Sequence, residues 1–140
     1  MNKLIILLLA TAVTLPAIAQ VAAVQGRDVE AKLKGNTARV YNVGCDDDLP
    51  NAVYYFRDNG TVTARLRPCN LPVDRVQTES GRWRIEGGRF CVHELASVDN
   101  FCFGLKELTD RTYRLVFFNS VMRQAWTVVV IDEGNSFNLE

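Results

Sequence analysis

The sequence predicts an all-β domain of about eight short antiparallel strands, forming a small barrel or sandwich with a lipocalin-like layout. Three observations lead to this prediction. After Gly35, runs of four to eight residues rich in β-branched and aromatic types follow one another, separated by turn residues. Two pairs of these runs are joined by glycine-containing turns typical of β-hairpins. Four cysteines lie in the same region, as in small exported domains stabilised by disulfides.

Residues 1–19 have the order of a signal peptide. Lys3 supplies a positive charge, residues 4–13 are almost wholly apolar, and Ala17 and Ala19 frame a cleavage site before Gln20. This apolar run is too short for a comfortable membrane span, and no second run approaches that length. We therefore expect one domain over residues 20–140, periplasmic or secreted, with no membrane span in the mature chain.

A short helix is predicted between the signal peptide and the strands, over residues 27–34. Asp28 is the expected N-cap, Val29 and Leu33 share one face, and Gly35 ends the helix. We expect it to cover one end of the sheet. The predicted strands are 37–43, 52–57, 61–67, 81–86, 89–95, 100–107, 112–118 and 125–131, with a further short one near 136–139.

Two registers compete in the first hairpin. A three-residue turn ending at Gly60 pairs Phe56 with Val62 and Tyr54 with Ala64, whereas a two-residue turn scatters these apolar residues over both faces. We therefore predict the three-residue turn. The outward face of this hairpin then carries Tyr55, Arg57, Thr61, Thr63, Arg65 and Arg67.

The second hairpin turns at Gly87 and Gly88, which accept the positive φ angles of a two-residue turn. Its core face then holds two opposed pairs, Trp83 with Val92 and Ile85 with Phe90. The opposite face carries Arg82, Arg84, Cys91 and His93.

Continuing this pairing into the next strand places Phe90 opposite Phe103 and Cys91 opposite Cys102. Opposed cysteines in adjacent strands are close enough to bridge. The remaining cysteines, Cys45 and Cys69, lie just beyond the two ends of the first hairpin. We therefore predict the disulfides Cys45–Cys69 and Cys91–Cys102.

The late strands, 113–118 and 126–131, are apolar on both faces. Such strands need cover on both sides. We expect the N-terminal helix or a loop to pack over them. The alternative is a subunit interface or an apolar ligand surface, and the sequence indicates no oligomeric state.

Three ordered segments resemble a group of small secreted proteins of Gram-negative bacteria that carry no assigned function. These segments are L-x-G-N-T at 33–37, F-x-x-x-G-T at 56–61, and G-x-W followed by seven residues and a cysteine at 81–91, with Phe101 and Cys102 completing the order. The resemblance spans residues 33–103 and implies a secreted β-rich domain. The predicted architecture is also similar to that of bacterial periplasmic lysozyme inhibitors, although a shared fold does not fix a function.

No catalytic centre is predicted, and no cofactor or metal. The chain lacks a glycine-rich phosphate motif and an H-E-x-x-H motif. Its only histidine, His93, is expected to be a solvated strand residue beside a disulfide. The acidic run 46–48 lacks the spaced ligands of a calcium loop and is expected to be solvated. The paired carboxylates of a glycosidase are recognised by the distance between them, which a sequence does not give. A glycosidase site therefore stays open at this point.

Two function classes follow, both non-catalytic. The first is a binding or inhibitory module that docks an acidic protein or an anionic envelope glycan on a basic surface of Tyr55, Arg57, Arg65, Arg67, Arg82 and Arg84. The alternative is a lipocalin-like carrier of a small apolar ligand, with a cavity lined by Trp83, Phe101, Phe103, Tyr113 and Phe117. Acidic and basic residues number 16 each, so the overall charge does not predict nucleic-acid binding.

Overall fold

The structure is a computed structural model that describes residues 23–42, 45, 48–69, 75–118 and 127–140. Its strands form a closed barrel in which each pairs antiparallel with the next along the chain and the last returns to the first. This confirms the all-β prediction and decides for a barrel. The strands are β1 Thr37–Asn42, β2 Ala52–Phe56, β3 Thr61–Leu66, β4 Gln77–Glu86, β5 Arg89–His93, β6 Phe101–Thr109, β7 Thr112–Phe117 and β8 Thr127–Asp132.

The single described helix, α1 (Gly26–Leu33), packs chiefly against β4, β5 and β6 at one end of the barrel. Its Val29 and Leu33 are fully buried, so the predicted apolar face is confirmed. The predicted N-cap is wrong: α1 begins at Gly26 without a side-chain cap, and Asp28 lies in the first turn, where its charge favours the helix dipole. None of the described residues form a helix long and apolar enough to span a membrane.

Both predicted hairpin registers are confirmed. Phe56 pairs with Val62 across a turn in which Gly60 has a φ of +83°. In the second hairpin, Ile85 pairs with Phe90. The disulfides Cys45–Cys69 and Cys91–Cys102 are both present, as the registers predicted. The predicted signal peptide lies outside the described residues.

Strand β4 is longer than predicted, because it begins at Gln77 instead of residue 81. Its first four residues are polar or charged, and as a group they have little β-strand propensity. They nevertheless pair with Thr63–Leu66 of β3, whose free edge supplies the hydrogen-bonding partners. Ladder formation therefore overrides local propensity at this point.

The predicted ninth strand near 136–139 does not form. Residues 133–140 lie instead as an irregular segment over the outer face of β1, β2 and β3, and we call them the C-terminal segment. Gly134 accepts a hydrogen bond from the Thr37 hydroxyl at 2.6 Å, and Leu139 accepts one from Arg57 at 3.0 Å. Leu139 is buried, as are Thr37 and Thr63 on the strands.

The late strands are buried more completely on their inner side than on their outer side. Their inward residues, such as Leu115 and Val129, are buried in the barrel core. The outward residues Val116, Val128 and Val130 are only partly buried. α1 packs chiefly against β4–β6, and cover of the outer face of β7 and β8 by a loop, by another subunit or by an apolar ligand stays a prediction.

Candidate functional site

An apolar cavity of about 120 Å³ lies inside the barrel. It is bounded by inward side chains of β1, β2, β6, β7 and β8, by α1 and by the loop between β5 and β6. All but one of its lining residues are apolar or aromatic: Leu33, Ala38, Val40, Tyr54, Phe56, Val98, Phe101, Phe103, Leu105, Leu115, Phe117, Thr127 and Val129.

The cavity has a sealed floor and a more exposed opposite end, which we call the mouth. At the floor, Leu33 of α1 meets Phe56 and Leu105, all of them buried. At the mouth, residues such as Phe101 and Phe117 keep part of their surface exposed. The helix closes one end of the barrel, so a ligand would enter from the other.

Aromatic rings form a continuous chain along the inner wall. Phe90 lies at its centre, in edge contact with Phe56 and Phe103 at centroid distances of 5.4 Å. From Phe103 the chain continues through Phe101 to Phe117 at the mouth. Aromatic pairs in such geometries add stability beyond their buried area, so this wall is a rigid apolar surface.

Three of the five aromatic residues predicted to line a ligand cavity do so. Phe101, Phe103 and Phe117 border the space. Trp83 and Tyr113 are buried without bordering it. The indole N–H of Trp83 donates to the main-chain oxygen of Arg57 at 2.9 Å.

Tyr54 is the one lining residue that offers a phenol to the cavity. Its ring stacks on Phe56. Burial, together with the negative charge of Glu79, raises the pKa of Tyr54 to about 12. The phenol therefore stays neutral at physiological pH and can both donate and accept a hydrogen bond.

Glu79 occupies an inward register position two strands from Tyr54, because Ala64 pairs with both residues. Its carboxylate accepts a hydrogen bond from the Ser97 main-chain N–H at 3.1 Å. Hydrogen bonds from the Ser97 side chain and main chain lower the pKa of Glu79, so this carboxylate is ionised at neutral pH. Ser97 directly precedes Val98 of the cavity lining, which places the charge beside the mouth.

The predicted basic surface is divided by the register of β3 and β4. Thr61 pairs with Arg82, so Arg65 lies opposite Thr78, six residues from Arg84 along the strand. At about 3.3 Å per residue, Arg65 and Arg84 are therefore about 20 Å apart. The expectation that these side chains form one patch is wrong, because the strands pair with an offset.

Acidic partners balance the exposed arginines at one end of this surface. Arg82 forms an ion pair with Glu94 at 3.3 Å, and Arg84 forms one with Glu86. Both arginines are more than half exposed, where ion pairs contribute little stability but do cancel local charge.

Arg57, one of the predicted partner-binding residues, contacts both the C-terminal segment and the Tyr55 ring. Arg57 donates to the Thr63 hydroxyl at 2.6 Å as well as to Leu139, and its guanidinium lies 5.3 Å from the centre of the Tyr55 ring. Thr63 lies on the outward face, as predicted, but it is fully buried there under the C-terminal segment. A wide polar depression of about 370 Å³ beside it contains Glu94 and Glu140 as well as Arg57 and Arg82.

Arg67 is not on the outer surface. Only 6 % of it is exposed, because its guanidinium donates to the main-chain oxygens of Leu49 and Pro50. It therefore holds the chain before β2 against the end of β3, near the Cys45–Cys69 disulfide. Arg65 is partly buried on the outer face. Binding of an acidic protein or an anionic glycan by any of these residues stays a prediction.

His93 is more buried than predicted. Only 13 % of its side chain is exposed, and its Nε2 lies 3.4 Å from a Glu86 carboxylate oxygen. Among the described residues, Glu86, Cys91 and Cys102 form a cluster of metal-ligand types. Both cysteines are disulfide-bonded and have no thiolate to offer a metal. The acidic run predicted to be solvated is described only at Asp48, which is exposed.

The sequence patterns did not predict Leu33, Tyr54 or Glu79 as site residues. The alternation of β2 did place Tyr54 on the inward face, which was an available signal. Glu79 lay outside any predicted strand, so no alternation could assign its face. Comparison of the chain with protein-family models, with curated proteins and with solved structures found no match.

Proposed function

We propose that this protein is a non-catalytic binding protein that holds a small apolar group inside its barrel. The observation that supports this most directly is the apolar cavity between α1 and the mouth. Apolar cavities in proteins stay dry and accept apolar ligands, because water finds no hydrogen-bonding partners in them. Thirteen residues, twelve of them apolar or aromatic, present such a surface here.

The volume limits what can be bound. Sites for drug-sized ligands enclose about 300–1,000 Å³, whereas a cavity of about 150 Å³ accepts one benzene ring. At about 120 Å³, this cavity fits one ring or a short branched alkyl group. The proposed ligand is therefore smaller than a long-chain lipid, and the barrel is narrower than that of a carrier for bulky molecules.

We further propose that the protein works in the periplasm or outside the cell. Two disulfides join all four cysteines, a state that oxidising compartments favour. The predicted signal peptide supports the same location. The Cys45–Cys69 disulfide joins the segments that follow β1 and β3, and the Cys91–Cys102 disulfide joins β5 to β6, so both would also limit the opening of the barrel during ligand exchange.

The test is a binding measurement with toluene as the probe and a matched pair of variants. Val129 lines the cavity, while its neighbour Val130 lies on the outer face of the same strand. We expect toluene to raise the melting temperature of the wild-type protein and of Val130→Phe. The same substitution at Val129 fills the cavity and should remove the effect. Circular dichroism checks that both variants fold.

Two results would contradict the proposal. One is a wild-type protein that toluene does not stabilise at any accessible concentration. The other is a folded Val129→Phe variant that toluene stabilises as strongly as the wild type, since binding would then occur elsewhere on the surface.

A further inference from the structure

We infer that the ligand is a small apolar amine, whose hydrocarbon part fills the cavity and whose ammonium group meets Tyr54 and Glu79 at the mouth. This inference rests on the proposed function and names the chemical class of the ligand.

The first step concerns the phenol of Tyr54. Tyr54 borders the cavity with its phenol, which can donate and accept a hydrogen bond. A ligand that enters the cavity displaces water from this hydroxyl, and a polar group that loses water without gaining a new hydrogen bond costs stability. A ligand with one polar group next to its apolar part supplies that bond, which a pure hydrocarbon does not.

The second step concerns the sign of the ligand charge. Glu79 lies across the small side chain of Ala64 from Tyr54, at inward register positions of the same barrel wall. Its charge acts on the Tyr54 hydroxyl, so the two groups share one electrostatic environment. A carboxylate there attracts a cation or a hydrogen-bond donor and repels an anionic ligand.

The third step is that Glu79 is held in place. Its hydrogen bond from the Ser97 N–H fixes the carboxylate beside Val98, which borders the cavity. A fixed carboxylate has less side-chain entropy to lose on binding than a free one. The aromatic residues of the mouth, Phe101 and Phe117, add ring faces that favour a nearby cation.

The inferred binding arrangement has two parts. The apolar cavity takes one ring or a short alkyl group, and the pair of Tyr54 and Glu79 takes the ammonium group. The ammonium donates to the Glu79 carboxylate and to the phenol oxygen of Tyr54, which keeps its own proton. The carboxylate retains a second oxygen for the Ser97 contact.

The experiment compares four probes of the same ring size on the full disulfide-bonded protein at low ionic strength: benzylamine, benzyl alcohol, toluene and benzoate. We expect benzylamine to bind roughly tenfold more tightly than toluene, as one charge-assisted hydrogen bond predicts. Benzyl alcohol should lie between them, and benzoate should bind most weakly. Added salt should reduce the advantage of benzylamine.

Three variants locate the effect. Glu79→Gln removes the charge but keeps an oxygen for Ser97, and should bring benzylamine to the level of benzyl alcohol. Glu94→Gln makes the same change at the outward carboxylate that pairs with Arg82, and should leave benzylamine binding unchanged. Tyr54→Phe should weaken benzylamine and benzyl alcohol alike while leaving toluene unaffected.

The outcomes separate this inference from the proposed function. If toluene binds in the cavity but benzylamine binds no more tightly, the amine assignment is overturned and the apolar binding function stands. If the advantage of benzylamine survives Glu79→Gln, the assignment is likewise overturned. If no probe binds, the proposed function itself fails.

Discussion

Filling the cavity should stabilise the protein, and Ala38 is the position at which to test this. Ala38 is a buried inward residue of β1, lines the cavity, and pairs with Tyr54 and Ile131 on its two sides. Ala38→Val adds two methyl groups at a strand position that favours β-branched residues. At about 0.8 kcal/mol per buried carbon, the gain is about 1.6 kcal/mol.

The size of the cavity sets the upper limit of this gain. Residual cavities cost about 24 cal/mol per Å³, which for this cavity amounts to about 3 kcal/mol. A single valine should therefore recover about half of the cost. The same substitution is expected to weaken toluene binding, because it occupies the space that the ligand needs.

Ala64 provides the matched control. It is also a fully buried inward alanine, on β3, but it does not border the cavity. Ala64→Val forces two methyl groups into packed core and should destabilise the protein by about 1–3 kcal/mol. Opposite signs for the two alanines are thus the expected signature of the cavity.

The assay is equilibrium unfolding in guanidinium chloride at pH 7 with both disulfides intact, followed by tryptophan fluorescence. The midpoint of Ala38→Val should rise at unchanged slope, and that of Ala64→Val should fall. If Ala38→Val destabilises the protein as much as Ala64→Val does, the space beside Ala38 is not free and the reasoning fails.

Three further predictions concern other parts of the chain. Gly81→Ala should destabilise the protein by about 1–3 kcal/mol in the same assay, because a Cβ there would lie 2.4 Å from the main-chain oxygen of His93; an unchanged midpoint would contradict this. Ser97→Ala should raise the pKa of Glu79 toward its ordinary value, as read from an NMR titration of the carboxyl carbons, and an unmoved pKa would show that the hydroxyl is not the main cause. Since the folded-state pKa of Glu79 is lowered, its stabilising contribution is present above about pH 4.5 and is lost as the pH falls through the lowered value. N-terminal sequencing of the exported protein should begin at Gln20, and an intact Met1 would refute the signal peptide.

The sequence by itself determined the strand order, the two hairpin registers and both disulfides. These features depend on neighbouring residues: Gly60 and Gly87 allow the turns, and alternation assigns each side chain to a face. Once Cys91 was placed opposite Cys102, the second disulfide followed without knowledge of the barrel. Local chemistry was sufficient because a meander pairs only consecutive strands.

Only the tertiary structure decided the closure of the barrel, the presence of the cavity and which outward-facing residues are buried. The pairing of β8 with β1 joins residues about ninety positions apart, and no local pattern encodes it. The alternation of the predicted strand 61–67 assigns Arg67 and Thr63 to the outward face. The chain before β2 nevertheless buries Arg67, and the C-terminal segment buries Thr63. The cavity forms because side chains from five strands, one helix and one loop leave a common space unfilled. Alternation fixes which face a side chain occupies, whereas packing volume and long-range cover depend on every element that shares that face.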